Sequence, residues 1–252
     1  MSDDLTLTPI GVGAAYAKPD EVQSAYLVSF ADTRVCLDLG AGSLSRLCAH
    51  VAPQDLTAIV ITHMHADHCV DLLSLRVYME WGPGRGREVR VIGPAGLKER
   101  VQAFGGQEGW DAFSFETFDS ATGALDVDTV RLSWAEVPHS KPTFAVRVDA
   151  AGRSVTYSAD CGPNDALVAL ARDTDVLVAE CSLGLVPAGP DAIHMSASDA
   201  GALARRAGAR RLLVTHCYPE HDREAVLAAA TESFGGSVAW ARQDEEVVVS
   251  IA

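Results

Sequence analysis

The most informative segment of the sequence is TAIVITHMHADH, at residues 57–68. Its first half, residues 57–62, is β-branched and almost wholly apolar, which is typical of a buried strand. Its second half places three histidines and an aspartate within six residues, and imidazole and carboxylate suit zinc or a comparable divalent ion. Four such groups cannot all serve one open catalytic metal, so the segment predicts more than one ion. The candidate ligands are His63, His65, Asp67 and His68.

Three further polar residues stand where predicted strands end. The ends of strands are where the binding and catalytic sites of αβ proteins are commonly assembled. Taken one at a time, a turn aspartate and a surface histidine are the ordinary interpretations. Together with the histidine-rich segment, the three residues predict one site for two metal ions. They are His139 after strand 129–137, Asp160 after strand 154–158 and His216 after strand 212–215.

The remaining apolar pattern predicts strands in both halves of the chain, each group closed by helices. This order predicts an α/β fold in which two sheets pack together with helices outside, as a single domain over residues 1–252. The further strands are predicted at 5–10, 25–30, 34–38, 88–92, 113–118, 143–148 and 175–179, with two short strands at the end of the chain. The helices are predicted at 43–50, 67–81, 94–104, 163–172, 196–208 and from about 223.

Two of these helices carry start signals. Asp67 is predicted to cap the helix over 67–81, and Ser196 with Asp199 resembles a capping pair at the start of the helix over 196–208. The positions predicted to be buried in the helix over 67–81 are Val70, Leu73, Val77 and Met79.

The charge balance is acidic. Lys and Arg number 20 and Asp and Glu number 34, which gives a net charge of −14 at pH 7. Proteins that grip polyphosphate backbones normally present a basic surface, so the balance disfavours transfer RNA or another long nucleic acid as partner. Charge that serves only solubility is the ordinary interpretation. Without a secretory segment or an apolar run of membrane-spanning length, we expect a cytoplasmic protein with no membrane partner.

Six cysteines are scattered along the chain, and four of them directly follow a residue placed near the metals. In a mid-sized chain with no secretory segment, reduced buried thiols are expected rather than disulfides. A thiolate ligand is the alternative for those four, but neighbours on a strand point to opposite faces, which favours core positions. The four are Cys69, Cys161, Cys181 and Cys217; the others are Cys36 and Cys48.

Seven motifs occur in order along almost the whole chain, and with them the sequence resembles the metallo-β-lactamase superfamily. The resemblance is strongest to the branch that contains ribonuclease Z and relatives without its tRNA-binding arm, including bacterial cyclic-nucleotide phosphodiesterases. The histidine-rich motif is common to the superfamily, whereas the segments around residues 139, 160 and 194 narrow the resemblance to the ribonuclease Z branch. The motifs are LDLG at 37–40, THMHADH at 62–68, PHSKPTFAVRV at 138–148, TYSAD at 156–160, AECS at 179–182, HMSASDAG from 194 and LVTH ending at 216.

The resemblance implies a four-layer αββα sandwich, a homodimer and a two-metal centre. Zinc is the expected metal, and Mn²⁺ and Fe²⁺ share such ligands. Asp38 is implied to orient a ligand, although a strand-end aspartate can equally form a turn. The implied ligands are His63, His65 and His139 for one ion, Asp67, His68 and His216 for the other, and Asp160 as the bridge.

Two departures from ribonuclease Z matter. Only residues 140–159 separate His139 from Asp160, which leaves no space for a protruding arm, and Ala179 stands before Glu180 where that family often has histidine. Together with the acidic balance, this puts transfer-RNA processing in doubt.

The function that the resemblance implies is hydrolysis of a small phosphodiester, such as a cyclic nucleotide, by attack of a metal-bound hydroxide. Asp67 is expected to orient the hydroxide with Asp160, His194 to protonate the leaving alkoxide and Glu180 to orient His194. For His194 and Glu180 the ordinary interpretations are a surface histidine and a solvated strand end. Lys141 and Arg147 are candidate phosphate contacts, with Lys141 favoured because it follows a ligand in a loop.

Two alternatives stay open. The same metal pair can polarise a carbonyl, so a lactone or thioester hydrolase is the first alternative. A non-catalytic metal-binding module is the second. Structural zinc sites are usually closed by four ligands that are often sulfur-rich, which this set does not resemble.

Overall fold

The strand over Val176–Glu180 is buried at every position, although successive side chains of a strand point to opposite faces. The strand over Leu5–Gly11 shows the same pattern. Strands buried on both faces belong to a sheet that is covered on both sides. The chain provides this cover with two mixed sheets that pack face to face and carry helices on their outer sides. In this computed structural model the described residues are 4–16 and 18–250.

Strands and helices follow one another along the chain in two similar halves. The strands are β1 (Leu5–Gly11), β2 (Ala25–Phe30), β3 (Thr33–Leu37), β4 (Ala58–Val60), β5 (Val89–Gly93), β6 (Phe113–Thr117), β7 (Thr122–Val127), β8 (Val130–Val137), β9 (Thr143–Ala150), β10 (Arg153–Tyr157), β11 (Val176–Glu180), β12 (Arg211–Thr215), β13 (Ser237–Trp240) and β14 (Val247–Val249). The α-helices are α1 (Ser43–Leu47), α2 (Ala66–Cys69), α3 (Leu72–Trp81), α4 (Leu97–Gly105), α5 (Asp165–Leu170), α6 (Ala197–Ala207) and α7 (Arg223–Phe234), and a 3-10 helix spans Pro53–Asp55.

Each sheet has seven strands. The first has the order β14-β1-β2-β3-β4-β5-β6 and the second β13-β12-β11-β10-β9-β8-β7. Strands β3 to β6 run parallel in the first sheet, and β10 to β13 run parallel in the second. The carboxyl ends of parallel strands meet at one edge of a sheet, so the residues that follow them are brought together there.

Three apolar clusters hold the layers together. The central cluster lies between the sheets and joins Tyr26 and Val60 of the first to Trp134 and Tyr157 of the second. A second cluster packs α1, α3 and α4 on the first sheet, and a third packs α5, α6 and α7 on the second. The four-layer αββα sandwich predicted from the sequence is therefore confirmed.

The predicted helix over 67–81 is wrong at its start. The chain forms two helices there, α2 and α3, and Asp67 lies inside α2 instead of capping it. The backbone of Leu39 interrupts the helix, because its N–H donates to His68 O and its carbonyl accepts the N–H of Asp71. Of the buried positions predicted for this helix, Met79 is buried, Val70 and Leu73 are half-buried, and Val77 is exposed. Leu72 and Leu75 take the inner positions because α3 starts later than predicted.

Strand β7 was missed by the sequence analysis. It pairs with β8 in a tight hairpin around Asp128, whose φ is 53°. Exposed and partly buried positions alternate along β7 at the sheet edge, and its polar residues gave little apolar signal. The capping pair at Ser196 and Asp199 is confirmed as a capping box at the start of α6.

Candidate metal centre

The predicted ligands lie at the carboxyl ends of strands from both sheets. His63 follows β4 of the first sheet, whereas His139, Asp160 and His216 follow β8, β10 and β12 of the second. Left-handed backbone, which costs a residue other than glycine on the order of 1–3 kcal/mol, occurs at Asp38, Ala159 and His216. Two candidate site residues, Asp38 and His216, and the neighbour of Asp160 therefore adopt a strained backbone at this edge.

The first ligand group lies on the side of the centre nearer to the solvent. His63 Nε2 is 3.0 Å from His65 Nδ1, which is 3.2 Å from His139 Nε2. With an oxygen of Asp160, these nitrogens all lie within 4.8 Å of one another. His63 and Asp160 are buried, while His65 and His139 are half-buried. The group can hold one metal ion with a side open to a ligand.

The second ligand group is buried throughout. Asp67 Oδ2 lies 3.3 Å from His216 Nε2 and 3.5 Å from His68 Nε2. Asp160 Oδ1 lies 3.4 Å from His68 Nε2 and 3.6 Å from His216 Nε2. These four ligand atoms also lie within 4.8 Å of one another. The structure thus brings together all seven residues predicted as ligands.

Asp160 belongs to both groups, with Oδ1 toward the second and Oδ2 4.0 Å from His63 Nε2. Among the described residues, neither His68 Nε2 nor Asp160 Oδ1 finds a hydrogen-bond partner, although both atoms are buried. Buried polar atoms are rarely left without a partner, and a bound ion is one of the accepted reasons. The donor set of imidazole nitrogens and carboxylate oxygens therefore fits two divalent cations.

The ring nitrogens that face away from the centre are held by other groups. His68 Nδ1 lies 2.7 Å from Asp38 Oδ2, and Thr62 donates its N–H and its hydroxyl to the same carboxylate. His139 Nδ1 lies 3.0 Å from the Ile193 carbonyl oxygen. Such bonds fix the orientation of a ligand and favour the tautomer that leaves Nε2 free. Of the two interpretations of Asp38, the structure supports the orienting one.

Ser182 is a positioning residue that the sequence analysis did not identify. Its hydroxyl lies 3.0 Å from His216 Nδ1 and also contacts the His216 carbonyl oxygen. A serine gives no distinctive signal by itself. The only available signal was its place in AECS, two residues after Glu180.

His194 and Glu180 form a hydrogen-bonded pair beside the ligands. His194 Nδ1 donates to Glu180 Oε1 over 2.7 Å. Glu180 is fully buried and also accepts the N–H groups of Cys161 and Ser182, so it is not a solvated strand end. The ring of His194 is half-buried, and its centroid lies 5.0 Å from that of His139.

The charges of the centre shift the pKa values of its groups in opposite directions. Burial lowers the pKa of His63 well below its usual value. Burial acts in the same direction on His68, but the carboxylates of Asp160 and Asp38 outweigh it and raise its pKa well above the usual value. For Asp160, burial alone would raise the pKa, yet the charges of His216 and His68 hold it well below the usual range. Ionised carboxylates packed this closely favour bound cations.

Glu180 raises the pKa of His194, as the carboxylates of Asp160 and Asp38 raise that of His68. Burial alone would lower the pKa of His194, but the hydrogen bond and negative charge of Glu180 outweigh it and raise the pKa above the usual value. His194 therefore keeps its proton to a higher pH than an ordinary histidine. A histidine in this state is suited to donate a proton.

Tyr218 follows the candidate ligand His216 by two positions. Burial and the negative charges of Asp160 and Asp67 raise the pKa of its phenol. The Tyr218 hydroxyl makes no hydrogen bond to another residue in 4–16 or 18–250.

The other basic residues considered from the sequence differ in whether they lie near the centre. Arg147 pairs with Asp149 and donates to the carbonyl oxygens of Leu170 and Arg172, so it is not directed to the centre. Lys141 is exposed in the loop that follows His139. His50 pairs with Asp244 on the surface, and His221 contacts the Ser182 carbonyl oxygen.

The cysteines are free thiols. Cys36, Cys69, Cys161 and Cys181 are buried as expected, whereas Cys217 is half-buried and Cys48 is exposed. Among the described residues, neither group of candidate ligands includes a sulfur atom. Burial raises the pKa of Cys69 to about 11, which keeps that thiol protonated. Within residues 4–16 and 18–250, no helix combines the length and apolar character that a membrane crossing needs.

Comparison with known proteins adds a family match and several relatives. The model of a beta-lactamase superfamily domain matches residues 33–217. An uncharacterized protein of Mycobacterium tuberculosis is 34% identical over 245 residues, which is 92% of this chain and 88% of the relative. Ribonuclease Z of Mycobacterium bovis is 29% identical over 265 residues, covering 93% of this chain and 94% of that protein.

YhfI from Bacillus subtilis, whose name describes it as a probable metallo-hydrolase, is 26% identical over 241 residues, covering 93% of this chain and 96% of YhfI. The crystal structure of YhfI, described as a metallo-beta-lactamase fold protein, superposes with a TM-score of 0.89. The superposition covers 98% of this chain and 100% of that one, at 24% sequence identity.

Proposed function

This chain belongs to the beta-lactamase superfamily, and from that premise we propose that it is a phosphodiesterase that hydrolyses a small phosphodiester such as a cyclic nucleotide. The family and the His/Asp cluster able to bind metal ions make it a metallo-hydrolase. The observation that carries the phosphodiesterase proposal is the hydrogen-bonded pair of His194 and Glu180 beside the candidate ligands His139 and His216. An alkoxide leaving group needs a proton, and this pair supplies one at the centre.

Each group of candidate ligands would hold one ion. Bound divalent ions lower the pKa of a coordinated water from 15.7 toward about 7 and stabilise charge that develops at phosphorus. His63, His65 and His139 would hold the first ion, Asp67, His68 and His216 the second, and Asp160 both. Zinc is the metal that we propose, and metal analysis of the purified protein tests it against manganese and iron.

The residues around the ligands have separate tasks. Asp67 and Asp160 present carboxylate oxygens that orient the attacking water. Glu180 accepts a hydrogen bond from the Nδ1–H of His194. The proton that His194 gives to the leaving oxygen therefore comes from Nε2. The ring of His194 lies near both ligand groups, with centroid distances of 5.0 Å to His139 and 6.4 Å to His216. Such a proton donor typically contributes a factor of about 10² to 10⁴ in rate.

A small substrate is favoured over transfer RNA. The relative named ribonuclease Z supports phosphodiester chemistry. Against a long nucleic acid stand the net charge of −14 and the short connection over residues 140–159, most of which forms strands β9 and β10. Lys141, exposed beside the centre, is the cation that we expect to contact the phosphate. A homodimer and a cytoplasmic location stay predictions.

The test is an activity panel with one matched pair of variants. Metal-loaded protein is assayed on cyclic nucleotides, on bis(p-nitrophenyl) phosphate and on lactones. We expect diester hydrolysis, a loss of about 10²-fold or more in His194→Ala, and no loss in His50→Ala, whose histidine lies on the surface. Near-full turnover by His194→Ala with its metals bound would show that the proton-donor role is wrong. Faster hydrolysis of lactones than of diesters would favour the acyl alternative.

A further inference from the structure

Two tyrosines from distant parts of the chain stack beside the metal centre. The ring centroids of Tyr16 and Tyr218 are 5.2 Å apart, and the ring planes are within 14° of parallel. Tyr218 is half-buried, whereas Tyr16 is 48% exposed. One side of the Tyr16 ring is therefore covered by Tyr218 while much of its surface stays open to solvent.

Both tyrosines are fixed to the second ligand group through the backbone. Tyr218 is two positions after His216. The loop that carries Tyr16 starts at Val12, whose carbonyl oxygen accepts the N–H of His216 over 3.2 Å. Tyr218 and the start of the loop that carries Tyr16 are thus both connected to the candidate ligand His216 along the backbone.

The far end of the same loop is anchored beside Asp67. Gln23 Nε2 donates to the carbonyl oxygen of Ala15 over 3.0 Å. Gln23 also packs on Gly40, where an added Cβ would lie 2.0 Å from the Asp67 carbonyl oxygen and 2.8 Å from Gln23 Cβ. Gly40 therefore allows the loop to approach the backbone of a candidate metal ligand.

The outer ring of the pair is also held by a hydrogen bond. The Tyr16 hydroxyl donates to the Glu220 carboxylate, which restrains that ring against Tyr218. Rings that are already fixed lose little conformational freedom when a third flat ring stacks on them. Nucleobases stack on aromatic side chains whatever their sequence, because every base has a π face.

We propose that the Tyr16–Tyr218 stack is the platform on which the nucleobase of the phosphodiester lies, so that the substrate class is a nucleotide and these two residues set its specificity. The inference rests on the proposed phosphodiesterase function. It assigns the phosphate to the metal centre and the base to the aromatic pair. Loss of one stacking ring typically weakens the binding of a base by roughly 10- to 100-fold.

The first experiment compares two substrates that differ only in the base. Adenosine 3′,5′-cyclic phosphate carries it, and the 3,5-cyclic phosphate of 1-O-methylribose does not. In Tyr16→Leu and Tyr218→Leu we expect kcat/KM to fall about 10-fold or more for the first substrate and less than about twofold for the second. Tyr218→Phe, which keeps the ring, should keep most of the preference. Trp81→Leu removes an exposed aromatic residue at the end of α3 and serves as the matched control.

The second experiment measures binding without hydrolysis. Calorimetry gives Kd for adenosine 5′-monophosphate and for ribose 5-phosphate with the metal-loaded protein. We expect the nucleotide to bind about 10-fold or more tightly than the sugar phosphate, and this ratio to be lost in both leucine variants.

The two experiments separate the proposals. If no diester is hydrolysed but the Kd ratio depends on the two tyrosines, the phosphodiesterase proposal fails and the platform stands. If diesters are hydrolysed but the leucine variants lower kcat/KM equally for the substrates with and without a base, the platform is overturned. An equal loss with a lowered melting temperature assigns the stack a purely structural role, which also overturns the inference.

Discussion

At the residue scale, the geometry of the centre depends on hydrogen bonds to the histidine nitrogens that face away from it. His68 is held by Asp38, His216 by Ser182 and His194 by Glu180, in each case through Nδ1. A histidine whose Nδ1 is bonded in this way presents Nε2 to a metal or a substrate. His65 is the exception, because its Nδ1 faces His63 and its Nε2 lies 3.3 Å from the Ser140 hydroxyl.

The pH dependence of hydrolysis should report the His194–Glu180 pair. The hydrogen bond and charge of Glu180 raise the pKa of His194 against the effect of burial. Because the protonated form donates the proton, activity should fall as pH rises through this pKa. In Glu180→Gln the negative charge of Glu180 is lost, so the pKa of His194 falls and the alkaline limb of the kcat/KM profile should move to lower pH.

The control for this measurement is Glu136→Gln, which changes an exposed glutamate of β8. Metal content is determined for each variant, because Glu180 also accepts two backbone N–H groups near the ligands. An alkaline limb that stays in place in Glu180→Gln with metals bound would contradict the assignment of His194 as the proton donor.

At the element scale, helix α6 positions the loop that carries His194. Its capping box of Ser196 and Asp199 starts two residues after His194, and the Asp199 carboxylate also accepts the N–H of Ala188 in the same loop. Helix α6 is in turn packed closely on α7. At Gly201 an added Cβ would lie 2.4 Å from the Ala230 carbonyl oxygen.

Gly201→Ala should therefore destabilise the protein. Backbone atoms of α7 would have to move, and overpacking of this kind typically costs about 1–3 kcal/mol. Thermal and urea unfolding measure the change, with about 2–4 °C expected in Tm for each kcal/mol. The matched control is Gly189→Ala, since nothing lies within 4 Å of a Cβ at that position. Equal stability of the two variants would mean that α6 and α7 pack less closely than the structure has them.

At the scale of the whole molecule, the metal centre joins the two sheets. Its ligands come from the ends of β4 and α2 on one side and of β8, β10 and β12 on the other. Ions bound there would stabilise the packing of one sheet on the other, because an ion that binds only the folded chain favours that state.

Removal of the metals should lower the melting temperature. At a free metal concentration 100-fold above Kd, each site contributes about 2.7 kcal/mol, which a chelator removes. The ligand histidines must be neutral to bind, so protons compete with the metal and its occupancy should also fall as the pH is lowered. Elemental analysis and calorimetry measure both effects, with zinc-saturated chelator as the control. A Tm that is indifferent to chelation, or full metal content at pH 4, would contradict the ligand assignment.

The sequence by itself determined the fold class and the identity of the candidate ligands. The apolar alternation of strands and the histidine-rich segment are local patterns, and His139, Asp160 and His216 were found because each follows a strand. Such patterns depend on neighbours along the chain, which the sequence displays directly. The edge strand β7 was missed for the same reason, since its apolar signal is weak.

Only the tertiary structure decided how these residues meet. The bond from Ser182 to His216, the break between α2 and α3 at Leu39 and the stack of Tyr16 on Tyr218 all join distant segments. Which atoms approach across such distances depends on how the sheets and helices pack. That packing is a property of the whole chain and leaves no mark in any short stretch of sequence.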